Sequence, residues 1–343
     1  MKNNNEITVS VLMLTYNQEQ YIDQAIRSVM LQQTDFRFEL VIGNDASTDT
    51  TSILCQQWKD RYPEQIIFIN RTQNLGLQQN FIQTYAHCRG KYLAICEGDD
   101  FWTSRHKLQR QVDFLETHPD YSICFHRVIN YYEERGVKSL SNGRQQIDTD
   151  ILDLAQSNYI TNVSVLFRRN CLGDLPTWFN KVSTYDYAMH LITAQHGKIH
   201  YIRRPMAVYR QHGKGIWSES QTDKKLEIAL TVRELLLDYF KTRNTAVYQA
   251  IRKAHTRICL NLIRYYQQAL TQKPANKAKL TEYLQAAEQR LLQYRSEWTL
   301  EDIKNYTKPV PMTLKEQLKH RFRALLSKGR ASISRLIPLP SIK

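Results

Sequence analysis

No stretch of the 343 residues approaches the roughly 20 consecutive apolar residues that a helix needs to cross a bilayer. The first ten residues, MKNNNEITVS, hold no apolar segment of a secretory signal, so a cytoplasmic location is expected. The six cysteines are scattered without a C-x-x-C pair, and most sit in apolar surroundings, which predicts reduced, buried thiols. No Cys/His cluster offers a zinc site. The phosphate-cradling G-x-x-x-x-G-K-[ST] is absent, and His212-Gly213-Lys214-Gly215 lacks its spacing. G-x-G-x-x-G, H-E-x-x-H and G-x-S-x-G are missing as well. Kinase, dehydrogenase, zinc protease and serine hydrolase readings fall away. Internal repeats and low-complexity tracts are also missing.

What is present is the composition of an ordinary globular chain, 42% hydrophobic and 23% charged, which excludes a disordered one. The charge is uneven. Lys and Arg balance Asp and Glu over residues 1–220, so residues 221–343 carry the whole formal excess of +14. A neutral front and a basic back direct the back toward an anionic partner, a membrane surface or nucleic acid, or leave it as a solvated helical face.

The front alternates strand and helix. Val9–Leu14 is a nearly continuous apolar run, as expected of a strand covered on both faces. Ile22, Ala25, Ile26, Val29 and Met30 then recur at helical spacing. Strands follow at Phe38–Ile42, Ile66–Ile69 and Tyr92–Cys96, with helices between and after them, one capped by Ser47 or Asp49. This βαβαβαβ rhythm predicts an α/β fold with a mostly parallel sheet and helices on both faces. Ser122–Tyr132, Val163–Arg169 and Ile199–Gln211 read as further strands, and Tyr185–Gln195 as a helix. Beyond about residue 220 helical periodicity dominates. Three parts are therefore expected: 1–220, a helical region 221–307, and a tail 308–343. In the tail, Leu314, Leu318, Phe322, Leu325 and Leu326 share one helical face, with Lys and Arg elsewhere, as in an interfacial amphipathic helix. A terminal helix docked on the body would read the same way.

Ligands of an open parallel sheet bind at the carboxyl ends of its strands, so the polar residues there are the informative ones. They are Thr15-Tyr16-Asn17, Asn44-Asp45, Arg71 with Asn74 and Gly76, and Glu97-Gly98-Asp99-Asp100. The last segment crowds three carboxylates into four residues. Two like charges about 4 Å apart cost roughly 1 kcal/mol in water and about 4 kcal/mol when partly buried. A turn and helix cap could explain such a cluster. So could a hard cation such as Mg²⁺ or Mn²⁺, which in turn suits a diphosphate.

Taken in order, VSVLMLTYNQEQYIDQAIRSVMLQQ, ELVIGNDASTDTT, NLGLQQNF, GKYLAICEGDDFWTSRHKLQRQVDFLE and MAVYRQHGKGIWS resemble a family 2 glycosyltransferase over roughly residues 7–218. The resemblance implies a GT-A-type, Rossmann-like sheet and inverting transfer from a nucleotide sugar, UDP-linked in most members. On matching positions it implies that Thr15, Tyr16, Asn17, Asp45 and Asn80 surround the nucleoside. Glu97-Gly98-Asp99 stands in place of the family's D-x-D. Glu97 would face ribose or metal, and Asp99 and Asp100 would hold Mg²⁺ or Mn²⁺. Glu for the first Asp is a departure, as is Asn44 where many members carry an acid. Asp186, opening a helix, would be the catalytic base, with Glu219 and Asp174 as rivals. As a bare sequence feature, Asp186 could instead serve the helix dipole. Arg210, His212 and Trp217 would belong to a loop over the diphosphate or acceptor.

The implied partners are a nucleotide-sugar donor, a glycan or lipid-linked acceptor, and an anionic membrane surface met by residues 308–343 at the inner face of the plasma membrane. Nucleic acid is not expected, because the acidic rim opposes it and the back-half aromatics fall at core-like spacings. A non-enzymatic nucleotide- or nucleic-acid-binding module and a metal-dependent nucleotidyltransferase are the competing readings.

Overall fold

The computed structural model describes residues 6–141, 143–213, 222–272, 276–295 and 297–307. Trp217, Glu219 and the tail 308–343 lie outside these. The chain divides into two compact units, Met1–Arg295 and Ser296–Lys343.

The strands of the first unit are β1 (Ile7–Thr15), β2 (Arg37–Asn44), β3 (Ile66–Asn70), β4 (Tyr92–Ile95), β5 (Phe101–Trp102), β6 (Tyr121–Tyr132), β7 (Val137–Leu140), β8 (Asp148–Thr149), β9 (Leu166–Arg168) and β10 (Lys198–Gln211). Its helices are α1 (Ile22–Met30), α2 (Thr51–Arg61), α3 (Leu77–Tyr85), α4 (Lys107–Thr117), α5 (Ile151–Gln156), α6 (Arg169–Leu172), α7 (Asp186–Ala194), α8 (Thr222–Phe240), α9 (Thr245–Gln272) and α10 (Lys277–Tyr294). Within the second unit, α11 spans Leu300–Thr307.

One sheet runs β3-β2-β1-β4-β9-β6-β10-β5, with β7 paired to β6 and β8 to β10. The first four strands are mutually parallel, as are β6 and β10, while β9 runs antiparallel between β4 and β6. The expected parallel front is present. The antiparallel insertion of β9 is not readable from Val163–Arg169, because pairing direction leaves no local mark on a three-residue strand.

The reason for the unbroken apolar strands is two cores, one on each face. Leu12, Leu14, Val41, Leu93 and Ile95 join the core that contains α7 and residues of α8 and α9. Val9, Val11, Met13, Leu40, Ile42 and Ala94 join the core built with α1, α2 and α4. Each strand alternates between the two, so most positions are apolar, and the buried polar exceptions, such as Ser10 and Glu39, need partners. Because Val232, Leu236, Phe240, Val247 and Ile251 belong to the first core, a boundary near residue 220 separates elements by character, not by packing. All six cysteines are free, and five of them are buried.

At the amino ends of the strands, one buried carboxylate ties three segments. Glu39 accepts from Ser10 Oγ at 2.6 Å and from the Arg89 N–H at 2.9 Å. Ser10 Oγ in turn accepts from the Gly90 N–H at 2.8 Å, which fixes the entry to β4. This latch holds the floor on which the opposite, functional edge stands. Glu39→Ala leaves buried donors unpaired at about 1–3 kcal/mol each. We expect its thermal unfolding midpoint to fall by several degrees, measured calorimetrically against wild type.

Candidate active site

The parallel register places Thr15, Asn44 and Asn70 side by side at one edge of the sheet. The loops after β1 and β2 are interlocked there. Asn17 Oδ1 accepts from the Thr48 N–H at 2.8 Å, and the Asn17 N–H donates to Ser47 Oγ at 2.9 Å. Glu19 and Asp49 complete the cross-links through Thr50 and the Glu19 N–H. Asn17 and Ala46 both have positive φ, 52° and 58°. A left-handed backbone is unfavourable for residues other than glycine and marks a loop shape imposed by its surroundings. Asp49 also accepts from the Thr51 N–H at 3.0 Å, but the N-cap of α2 is Thr50, so neither Ser47 nor Asp49 holds the cap position expected of them. Tyr16 is 47% exposed, so it is free to meet a ligand. Thr15 is buried, and its Oγ1 has no partner among the described residues.

Asp45 has a structural task that its position in the sequence did not announce. Its two oxygens accept from the Leu75 and Gly76 N–H groups at 2.8 and 2.9 Å. Gly76 has φ 81°, a conformation suited to glycine. Asp45 thus holds the NLG turn against the end of β2, and each oxygen keeps a second lone pair for a ligand. Asn80 is buried and committed: its amide donates to the Gly43 carbonyl at 2.9 Å and its oxygen accepts from Arg71 Nε at 2.9 Å. It braces α3 beside the site. Asn44 likewise donates to Asn70 at 2.8 Å.

The acidic segment continues the β4 ladder past its end, with the Gly98 N–H donating to the Leu14 carbonyl at 2.9 Å. A Cβ at Gly98 would lie 2.4 Å from Gln18 Oε1 and 3.0 Å from Thr15 Cβ, so only glycine lets the segment lie this close to the first loop. Carboxylate oxygens of Glu97, Asp99 and Asp100 gather within 4.8 Å of one another. Burial, then the Asp99 charge, pushes the Glu97 carboxyl up to about 7. The same causes hold Asp100 well above the usual carboxylate range.

The cluster is contained from two sides. On one, Arg210 crosses from the end of β10. Its N–H donates to Asp100 Oδ1 and its Nε to the Asp99 carbonyl, both at 2.8 Å. The guanidinium lies over the Tyr21 ring, 4.6 Å from its centroid, and donates to Gln24. His212 Nε2 stands 3.0 Å from Asp99 Oδ2, its ring stacked on Tyr21 at 5.0 Å. Tyr21 is anchored by donating to Glu133 at 2.6 Å. On the other side, Tyr185 donates to Glu97 Oε1 at 2.8 Å while stacking on Phe81, with centroids 4.1 Å apart. Asn162 donates to the same oxygen at 3.2 Å.

Asp186 is the first residue of α7, directly after Tyr185. It accepts from Asn158 Nδ2 at 2.9 Å. Burial raises its pKa, partly offset by hydrogen bonds from the Tyr187 backbone and Asn158. Its charge also contributes to the upward shift at Glu97, so the two carboxyls share one region. The rival Asp174 is exposed, in the turn after α6.

Of the expected residues, Glu97, Asp99, Asp100, Arg210, His212 and Asp186 converge, while Asp45 and Asn80 stand beside them as struts. Sequence reasoning missed Tyr185, Asn158, Asn162, Tyr21 and Glu133. Tyr185 had a signal, its place beside Asp186. Asn158 and Asn162 share the segment between α5 and β9, Tyr21 precedes α1 and Glu133 follows β6, and none of the four carries a local mark of its partner.

The model of the glycosyl transferase family 2 matches residues 10–175. The uncharacterised protein Rv1520 of Mycobacterium tuberculosis is 38% identical over 222 residues, 63% of this chain and 62% of that protein. TuaG of Bacillus subtilis, a glycosyltransferase provisionally assigned to teichuronic acid biosynthesis, is 32% identical over 107 residues, 31% of this chain and 41% of that protein. This chain thus covers less than two thirds of the length of either relative. Among solved structures, S. aureus TarS 1–349 in complex with UDP-GlcNAc superposes with a TM-score of 0.63 at 15% identity, covering 95% of this chain and 93% of that one. The likeness is one of fold, and the fold is the GT-A type. Residues 10–175, just under half of this chain, are therefore similar to glycosyl transferase family 2.

Proposed function

We propose that the protein is an inverting glycosyltransferase. It moves a sugar from a nucleotide sugar, UDP-linked, to a hydroxyl of a glycan or lipid-linked acceptor in cell-surface polysaccharide synthesis. The observation that carries this reading is the link from the acidic cluster through Tyr185 to Asp186, at the carboxyl edge of a parallel sheet. The UDP-GlcNAc held by TarS supports the donor class, and the teichuronic acid assignment of TuaG supports the acceptor class.

The cluster fits a hard divalent cation. Its donors are oxygens, they lie within 4.8 Å, and the buried Asp100 Oδ2 has no partner among the described residues. Asp99 and Asp100, with Glu97 beside them, would hold Mg²⁺ or Mn²⁺, and His212 adds a nitrogen at Asp99. Such an ion supplies charge neutralisation for a departing diphosphate. The remaining work falls to the chain. Tyr16 and the interlocked first two loops receive the nucleoside. Arg210 steadies the Asp99-Asp100 backbone and carboxylate. Asp186, its pKa raised by burial, takes the proton from the acceptor hydroxyl. One displacement from the face opposite the nucleotide inverts the anomeric centre.

Asp186→Asn is expected to retain nucleotide-sugar binding and lose about 10²-fold or more in transfer. Asp99→Ala is expected to lose cation-dependent nucleotide binding. Isothermal titration with UDP, with and without Mn²⁺, and product analysis check both. Wild-type transfer by Asp186→Asn would overturn the base assignment, and pyrophosphate release in place of sugar transfer would overturn the reaction.

The raised pKa values predict opposing pH effects. Glu97 binds its proton more tightly folded than unfolded, so its contribution to stability is present below about pH 4.5 and is lost as pH rises toward 7. The cation-free protein should therefore melt lower at about pH 8 than at about pH 5, less so in Glu97→Gln. Mn²⁺ affinity should rise over the same interval, since the cation needs the ionised carboxylates.

The basic amphipathic pattern of residues 308–343 supports contact with anionic membrane. Truncation after residue 307 is expected to reduce sedimentation with phosphatidylglycerol liposomes. Unchanged sedimentation would remove the membrane from the proposal.

A further inference from the structure

Tyr21 stands outside the acidic cluster, yet two groups that contain the cluster lie against its ring. The Arg210 guanidinium is 4.6 Å from the ring centroid, and the His212 ring stacks on it with centroids 5.0 Å apart and planes 28° from parallel. These same two residues reach Asp99. Arg210 Nε donates to the Asp99 carbonyl at 2.8 Å, and His212 Nε2 stands 3.0 Å from Asp99 Oδ2. The Tyr21 hydroxyl is engaged elsewhere, donating to Glu133 Oε2 at 2.6 Å. The other Glu133 oxygen lies 3.7 Å from Arg210 Nη1. A Cβ at Gly213 would lie 2.5 Å from Glu134 Oε1, so the turn after β6 also packs closely on the residue that follows His212. Three segments therefore close around one ring: the entry to α1, the end of β6 and the end of β10.

Arg210 acts on the chain and not on a ligand. Its Nη2 donates to Gln24 at 2.8 Å, and its side chain is only 8% exposed. Hydrogen bonds fix a guanidinium within its plane, while an aromatic face beneath it fixes the plane itself. A cation site gains affinity when its oxygens are held before the ion arrives, because less ordering remains to be done on binding. The holding of Asp99 depends on two residues, and both lie on Tyr21.

We propose that Tyr21 is a positioning residue of the candidate cation site. Its ring holds Arg210 and His212 against Asp99, and its hydroxyl, tied to Glu133, keeps the ring in place. It touches neither cation nor nucleotide. The proposal rests on reading the acidic cluster as a divalent-cation site.

The test is calorimetric titration of the full chain with UDP over a series of Mn²⁺ concentrations, read as the Mn²⁺ concentration that gives half-maximal UDP binding. Tyr21→Leu removes the ring and is expected to raise that concentration about 5- to 10-fold. Tyr21→Phe keeps the ring, and Glu133→Ala keeps the tyrosine; each is expected to raise it about 2- to 3-fold. Because both remove the same hydrogen bond, the double variant should lose less than the product of the two. Glu39→Ala, at the opposite edge of the sheet, supplies the control for lowered stability and should leave the Mn²⁺ requirement within about twofold of wild type. A second measurement needs no cation. The Arg210 N–H is bonded to Asp100 Oδ1, so amide hydrogen exchange over residues 207–213 of the cation-free protein should be faster in Tyr21→Leu than in Tyr21→Phe. The positioning role is refuted if Tyr21→Leu keeps the wild-type Mn²⁺ requirement, if Tyr21→Phe loses as much as Tyr21→Leu, or if Glu39→Ala raises the requirement equally. Wild-type UDP binding that is indifferent to chelator would instead refute the cation site on which the role depends, and absence of UDP binding would refute the donor assignment.

Discussion

Everything at the carboxyl edge of this sheet answers to one constraint: three carboxyl groups are held together where water cannot fully screen them. Burial, and then their mutual repulsion, raises the proton affinity of Glu97 and Asp100. The neighbours are arranged to contain that charge. Arg210 binds the Asp99-Asp100 backbone and side chain, His212 faces Asp99, and Tyr185 and Asn162 donate to Glu97. These partners come from the end of β10, the start of α7 and the turn before β9. The strand order exists to bring those distant segments to one place.

The same constraint explains the supporting shell. Tyr21 serves Arg210 and His212 at once through its ring, and Glu133 fixes its hydroxyl. Phe81 of α3 stacks beneath Tyr185, and Asn80 on the same helix braces Gly43 and Arg71. The NLG turn that opens α3 is pinned by Asp45. A chain of packed groups thus runs from the second strand to the acid at the start of α7. A site built this way keeps its shape through rigid elements, and its strained positions, Asn17 and Ala46, sit on the loops that would meet a ligand.

Two kinds of residue were legible beforehand for different reasons. Strands buried on both faces are apolar at most positions, so β1, β2 and β4 announced themselves, and their ends then exposed Glu97, Asp99 and Asp100 as polar interruptions. Asp186 was legible through the family resemblance, since as a local pattern an acid opening an apolar helix serves the helix dipole equally well. Asn158, Asn162, Glu133 and Tyr21 carry no such mark. Each is an ordinary polar residue in a loop or at a helix edge, and its meaning lies in what stands across from it.

The sequence by itself determined the parallel front, the acidic segment, the uneven charge and the family resemblance, because all of these are written in short periodicities and ordered motifs. Only the tertiary structure decided that β9 enters antiparallel between β4 and β6, that α8 and α9 share the main core, and that Asp45 and Asn80 serve as struts. The physical reason is the same in each case. Contacts such as those of Asn17 with Ser47, 30 positions apart, and of Asp99 with His212, 113 apart, leave no trace in local spacing, and they exist only once the sheet has set its neighbours.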